Sequence, residues 1–186
     1  MFIETEGTPN PATLKFLPGR DVLGAATADF ASPEAAAKSP LAASLFGLAG
    51  VARVFLGKDF ISVSKTDEIS WQALKPQVLG QIMEHFLSGM PVMEGDAALL
   101  DEDEIAPEDE EIVAQIKELI DTRVRPAVAG DGGDIIFRGY REGVVRLYLQ
   151  GSCSGCPSSR ATLKHGIENM LRHYIPEVTE VEQVDL

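Results

Sequence analysis

The chain is organised around the stretch Gly151-Ser152-Cys153-Ser154-Gly155-Cys156-Pro157-Ser158-Ser159. It contains the only two cysteines of the 186 residues, and two residues separate them. This spacing lets both sulfurs point the same way from one tight loop. Gly151 and Gly155 permit positive φ angles in that loop, and Pro157 suits the first position of a helix. We expect Ser152 and the other small residues here to leave the sulfurs exposed.

A helix is predicted directly after the loop, because apolar residues recur there at steps of four, three, one and three. These residues are Leu163, Ile167, Met170, Leu171 and Tyr174. The thiols would then lie at a helix N-terminus, where the dipole and free N–H groups favour negative charge. Such a site lowers thiol pKa and raises the fraction of thiolate, which is the metal-binding form.

The number of available ligands limits what one chain can bind. A four-iron cluster commonly takes four cysteine thiolates, and structural zinc normally takes four protein ligands. Cys153 and Cys156 provide two. His165 and His173 lie further along the predicted helix, and His85 lies in another segment. One chain therefore holds half a site, which a symmetric dimer can complete with two loops at its twofold axis.

Two other interpretations use the same cysteines. A CxxC between a strand and a helix also fits a thioredoxin-like dithiol oxidoreductase, which would be an enzyme. A thioredoxin fold needs more strands and helices after its motif, whereas one helix and one short strand remain here. The second alternative is a structural zinc-bridged dimer, with four thiolates drawn from two chains.

Several separated blocks resemble known proteins in matching order. Residues 108–186 resemble the C-terminal domain of NifU, the Nfu-type iron–sulfur cluster carriers. The blocks are Arg125-Pro126, Asp131-Gly132-Gly133-Asp134, the cysteine stretch, Thr162-Leu163-Lys164, Gly166-Ile167-Glu168 and Pro176-Glu177-Val178. The earlier part resembles the Nfu N-terminal domain. Its blocks are Thr8-Pro9-Asn10-Pro11-Ala12-Thr13-Leu14-Lys15-Phe16, Gly57-Lys58-Asp59-Phe60 and Leu74-Lys75-Pro76.

This resemblance implies a carrier or scaffold rather than an enzyme. It implies a 4Fe–4S cluster shared between two protomers, with Cys153 and Cys156 as the iron ligands. It also implies a homodimer when the cluster is bound, an upstream cluster-assembly scaffold as donor, and delivery to recipient apo iron–sulfur proteins.

Composition narrows the classes of partner and compartment. The net charge is −13, but residues 90–111 alone carry ten acidic and no basic residues. The sequence lacks the basic patch that nucleic-acid binding requires. No window reaches the ~18 apolar residues of a membrane helix. The N-terminus shows no signal peptide. Two cysteines in one reactive motif favour a reducing compartment. We expect a bacterial cytoplasmic protein, or a mitochondrial matrix protein if this is a processed form.

The predicted fold class is α+β, with two small mixed domains. Residues 1–88 form the first domain, residues 89–107 an acidic linker, and residues 108–186 the cluster-binding domain. The linker contains Asp101-Glu102-Asp103-Glu104, which lacks the glycine pattern of a calcium loop, so we interpret it as a solvated tether.

Hydrophobic periodicity predicts the elements within each domain. The first should hold strands at 2–6 and 12–17, short helices after Ser32 or Ser39, a hairpin over 51–64, and a helix over 70–88. The second domain should open with a helix that ends near Pro126. Strands at 135–140 and 144–149 follow, then the cysteine loop, its helix and a weak strand at 178–184. We expect a three-stranded mixed sheet with two helices on one face and the cysteine loop at its edge.

Overall fold

In a computed structural model, which describes residues 1–95, 103–152 and 157–184, the chain divides into two units, 1–98 and 99–186. The side chains of residues 157–159 are not among those described. Each unit has its own apolar core. Both units mix helices with a sheet, which confirms the predicted α+β class.

The first unit is built on a five-stranded antiparallel sheet with the order β1-β2-β5-β4-β3. Its elements are β1 (Glu4–Gly7), β2 (Thr13–Leu17), β3 (Ala28–Phe30), a 3₁₀ turn (Ala35–Lys38), α1 (Pro40–Phe46), β4 (Val51–Leu56), β5 (Ile61–Lys65) and α2 (Trp71–Ser88). The predicted hairpin is β4–β5. Strand β3 was not predicted, because three residues are too few to display an alternating pattern.

Local signals account for both helices of this unit. The Ser39 hydroxyl accepts a hydrogen bond from the N–H of Ala42 at 3.1 Å, so Ser39 caps α1 as predicted. Helix α2 buries Leu74, Val78 and Ile82, which recur at steps of four along one face. It ends at Gly89, whose φ of 72° is the left-handed conformation that glycine adopts without a steric penalty.

The second unit opens with a helical segment that continues past Pro126. Its parts are a 3₁₀ turn (Pro107–Asp109), α3 (Glu110–Leu119), a π-helical turn (Ile120–Val124) and α4 (Arg125–Gly130). The prediction that Pro126 limits the helix is therefore wrong. A proline clashes with the carbonyl four residues back. Here the N–H of Arg125 bonds to the carbonyl of Ile120, five residues back, and this wider turn admits the ring.

The sheet of the second unit has the order β6-β7-β8. Strands β6 (Gly133–Arg141) and β7 (Val144–Gly151) are antiparallel, and β8 (Glu180–Gln183) pairs parallel with β7. This arrangement confirms the predicted mixed three-stranded sheet. The strand that leads into the cysteine loop is the central strand β7, so the loop leaves from the middle of the sheet rather than from an edge strand.

Both long helical segments pack on one face of that sheet. Val145, Leu147 and Leu149 alternate along β7 and are buried in one cluster with residues of α3, α4 and α5 (Pro157–Tyr174). Tyr174, predicted in the buried stripe of α5, is exposed, and the guanidinium of Arg123 lies over its ring. Ile175, the residue after the helix, is buried instead.

The described start of the predicted linker is hydrogen-bonded to the first unit, and its described end to the second unit. The N–H of Glu94 donates to the carbonyl of Lys38 at 2.7 Å. The N–H of Asp103 donates to the carbonyl of Arg138, and its carboxylate lies 2.8 Å from the guanidinium of Arg146. The domain boundaries and the tether itself stay predictions, and residues 96–102 lie outside the described range. None of the helices described is long and apolar enough to span a bilayer.

Candidate functional site

The predicted ligands, Cys153 and Cys156, lie outside the described residues, but both flanks of their loop are described. Strand β7 ends at Gly151, whose φ of 70° is left-handed, and Ser152 follows it. Helix α5 begins at Pro157, as the sequence predicted. The four intervening residues therefore join the end of the central strand to the start of an 18-residue helix.

Ser152 is the last described residue before the cysteines, and only 3% of it is exposed. Its N–H donates to the carbonyl of Gly132 at 3.3 Å, and its hydroxyl donates to the carbonyl of Asp131. Ser152 itself is therefore buried, and the exposure of the two sulfurs stays a prediction, because Cys153 and Cys156 lie outside the described residues. Ser152 is held by two hydrogen bonds to two successive carbonyls.

The turn that supplies those carbonyls is itself bonded to α4. The N–H of Asp131 donates to the carbonyl of Val128 at 3.1 Å, and the N–H of Gly132 donates to that of Ala129 at 3.0 Å. Gly132 has a φ of 83°, which side chains other than glycine rarely adopt. These bonds give the Asp131–Asp134 turn a structural role.

An ion pair between Asp134 and Arg125 stabilises the same turn. The Nε and Nη2 atoms of Arg125 each donate to one carboxylate oxygen of Asp134, both at 2.9 Å. Asp134 is buried, whereas Arg125 is partly exposed and also reaches Asp121 at 3.3 Å. The hydrogen bond to Asp134 raises the pKa of Arg125 above its usual value. Such two-pronged, charge-assisted pairs fix orientation as well as adding energy.

We call Arg125, Asp131, Gly132, Asp134 and Ser152 the loop root. Sequence reasoning named all five as parts of motifs but did not join them into one bonded group. The only sequence feature that pointed to this group was glycine at the matching ends of two strands predicted to pair, Gly132-Gly133 before the first and Gly151 after the second. Glycine at both ends allows the two backbones to approach closely. Gly133 pairs with Gly151 in the register of β6 and β7.

The histidines of the chain do not extend the site within the described residues. His165 and His173 are exposed on α5, well after its start. His85 is buried in the first unit. No group of three or more histidine, cysteine, aspartate or glutamate side chains that could hold a metal ion occurs in the described part of the chain.

The Pro9–Pro11 turn and Trp71 of the first unit have structural contacts. The Asn10 side chain accepts the N–H of Ala12 at 3.0 Å, and the indole N–H of Trp71 donates to the carbonyl of Pro11 at 3.1 Å. These contacts hold the turn in place.

Comparison with known proteins matches both halves of the chain to family models. Residues 3–89 match the model described as the scaffold protein Nfu/NifU N terminal, and residues 116–182 match the NifU-like domain. The resemblance inferred from the sequence motifs is thereby confirmed.

Similar proteins cover nearly the whole chain. A human protein named "NFU1 iron-sulfur cluster scaffold homolog, mitochondrial" is 53% identical over 99% of this chain and 72% of its own length. The protein of the same name from Drosophila sechellia is 56% identical over 99% of this chain and 65% of its own. "NifU-like protein 4, mitochondrial" from Arabidopsis thaliana is 50% identical over 98% and 66%. The chain thus spans about two thirds of the length of these relatives.

Proposed function

The chain belongs to the Nfu family of iron–sulfur cluster scaffold proteins, and on that premise we propose that it binds a 4Fe–4S cluster and delivers it to apo iron–sulfur proteins. The observation that carries this proposal is the 53% identity, over 99% of this chain, with a protein named as a cluster scaffold. The cluster is the cargo of the protein and not a catalytic cofactor.

The proposed iron ligands are Cys153 and Cys156 from each of two chains. Four thiolates complete a 4Fe–4S cluster, and this chain has two cysteines, so the cluster is shared in a homodimer. The start of α5 directly after Cys156 supports the thiolate form, because a helix N-terminus favours negative charge.

Delivery proceeds by ligand exchange. A thiol of the recipient gives its proton to the departing cysteine thiolate and replaces it on iron, one for one, with no change in the oxidation state of the cluster. The shared site can also open by separation of the two protomers, in which recipient thiolates take the iron positions that the departing chain's two thiolates leave. An upstream cluster-assembly scaffold supplies the cluster. The first unit and the acidic linker select and reach the recipient.

The mitochondrial names of the relatives support the mitochondrial matrix, of the two locations predicted from the sequence. The cytoplasmic alternative stays a prediction.

Anaerobic reconstitution of the full chain with iron and sulfide tests the proposal. We expect about two irons and two sulfides per chain, since four of each are divided between two chains. Loading should also convert the protein to a dimer in sedimentation. Cys153→Ser and Cys156→Ser should each abolish the brown colour and the cluster-linked dimer. Ser154→Ala, a change in the same loop that removes no sulfur, should keep both.

Three outcomes contradict the proposal. A complete four-iron cluster on a sedimenting monomer would refute the shared site. Zinc without sulfide in the dimer would favour the zinc-bridged module. Turnover of disulfide substrates by a colourless monomer would favour the dithiol oxidoreductase.

A further inference from the structure

The buried polar groups of the second unit converge on the start of the cysteine loop. Among its described residues, Asp134, Gln150 and Ser152 are the buried polar or charged ones. Asp134 and Gln150 are cross-strand partners in the last part of the β6–β7 ladder, and Ser152 follows one residue after that ladder ends. Buried polar groups reduce stability unless they are hydrogen-bonded, so their concentration at one place indicates a requirement there other than core packing.

We propose that Ser152 is a positioning residue whose hydroxyl, by holding the start of the cysteine loop on the loop root, slows release of the cluster. This inference rests on the proposed function. It assigns Ser152 no contact with the cluster. Ser152 acts through Cys153, the next residue in the chain.

The geometry of Ser152 explains why the hydroxyl matters. The N–H and the hydroxyl bond to Gly132 and Asp131, which are consecutive carbonyls of one turn. One hydrogen bond alone would leave the residue free to rotate about that bond. Two bonds to a single turn fix both the position and the direction of the chain where it enters the cysteine loop.

The turn can serve as an anchor because it is held on two sides. Its N–H groups bond to the end of α4, and Asp134, which follows it, is clamped by Arg125. A continuous series of bonds therefore runs from α4 through the turn to Ser152. Loosening any bond in this series should let the first cysteine of the pair move.

Positioning should affect release more than loading. A cluster leaves when an iron–thiolate bond breaks and an incoming ligand, either a recipient thiol or the chelator, takes that position on iron before the bond re-forms. A fixed loop start keeps that thiolate close to the iron, so the bond re-forms faster than the cluster departs. Assembly, by contrast, needs only that both thiolates reach the iron, which a looser loop still permits.

The test compares cluster retention in loaded full-length dimers of the wild type, Ser152→Ala and Ser44→Ala. Ser44 is the matched control, because its hydroxyl donates to the carbonyl of Leu41 at 2.8 Å in the first unit. Iron and sulfide content and the absorption spectrum are measured first. The rate of bleaching by an iron chelator is then followed without oxygen.

We expect all three proteins to load alike, and Ser152→Ala to bleach roughly two- to tenfold faster, the effect of losing one net hydrogen bond. Ser44→Ala should bleach like the wild type. Equal bleaching rates for Ser152→Ala and the wild type would overturn the inference. So would faster bleaching of Ser44→Ala, because the effect would then not depend on the loop root.

A second variant decides the matter if Ser152→Ala does not fold. Arg125→Lys keeps the charge but loses the two-pronged bond to Asp134, and the partly exposed position tolerates the change. It should also speed bleaching, and an unchanged rate would count against the inference. Failure of the wild type to take up iron and sulfide would refute the proposed function instead, so the two failures are distinguishable.

Discussion

The two units of the chain place their buried polar side chains differently. In the first unit these residues are Thr13, Lys15, Ser39, Ser62 and His85, which belong to two strands, a helix cap and α2. In the described part of the second unit they are Asp134, Gln150 and Ser152, all at one end of one sheet. Lys15 and Ser62 are cross-strand partners on β2 and β5, Thr13 lies two residues from Lys15, and Ser39 and His85 lie apart from them. Asp134, Gln150 and Ser152 instead lie where β6 and β7 end, next to the cysteine loop. The main group of the first unit therefore lies within paired strands, whereas that of the second unit flanks the segment that contains the cysteines.

The aromatic residues make the two units separately measurable. Trp71, the only tryptophan, lies in the first unit, and all three tyrosines lie in the second. Tryptophan fluorescence therefore follows the first unit, and tyrosine signals follow the second.

The largest expected effect tests whether the core of the first unit is independent of the site. Ile82→Ala removes a fully buried side chain and should lower the stability of that unit by about 3 kcal/mol. Urea unfolding monitored at Trp71 measures this loss. Iron and sulfide content of the loaded protein should not change. A parallel loss of cluster would show that the two units are not functionally separate.

The next effect concerns the loop root. Asp134→Asn removes the buried carboxylate from its two-pronged pair with Arg125 and should destabilise the second unit by about 2 kcal/mol. Tyrosine-monitored unfolding measures it, and the Trp71 transition should stay in place. Asp121→Asn is the matched control, because Asp121 also contacts Arg125 but is exposed. That control should change stability by less than about 0.5 kcal/mol.

His85 makes the stability of the first unit depend on pH. Burial lowers the pKa of His85 below its ordinary value of 6.5, and the carbonyl of Pro91 partly opposes that effect. The unfolded chain therefore binds the proton more readily, so stability should fall as the pH drops below about 6.5. Trp71-monitored unfolding between pH 8 and 5 measures the slope.

His85→Leu serves as the control for that slope, since it removes the titrating ring while keeping an apolar side chain in place. Its stability should be flatter with pH than that of the wild type. Equal slopes in the two proteins would assign the pH dependence to other groups.

The smallest expected effect on stability concerns Asp103, near the end of the acidic linker. Asp103→Asn removes one of the two acidic partners of Arg146, the other being Glu182, at an exposed position. Such pairs contribute little and are screened by salt. We expect a slightly lower tyrosine-monitored midpoint at low salt and no difference at high salt. Glu104→Gln removes the same charge one residue later and should leave the midpoint at its wild-type value. A larger shift for Glu104→Gln would mean that overall charge, not this pair, is responsible.

Periodic signals predicted most of the elements of both units. Alternation predicted β7 with Val145, Leu147 and Leu149 on its buried face, and the spacing of Ile167 and Leu171 predicted α5. These patterns are local, because each element must turn its apolar residues to one side. Predictions failed where a contact overrode the pattern. The π turn let a helix continue past Pro126, and an arginine covered Tyr174 at the surface.

The loop root could not be predicted, because it depends on strand register. Counting outward from the β6–β7 hairpin places Gly133 opposite Ser152. A bulge between Phe137 and Gly139 shifts the pairing by one residue, to Gly151. A one-residue shift decides which groups meet across a ladder. Nothing in the local sequence of Ser152 reveals that shift.

By itself, the sequence determined the family, most of the elements and the two cysteines that make one chain half of a proposed site, because motifs, periodicity and residue counts are properties of the chain. The tertiary structure alone decided that Ser152 is buried and bonded to the Asp131–Gly132 turn. That outcome depends on a bulge, a ladder and a helix end meeting in space, and such contacts join residues about twenty positions apart.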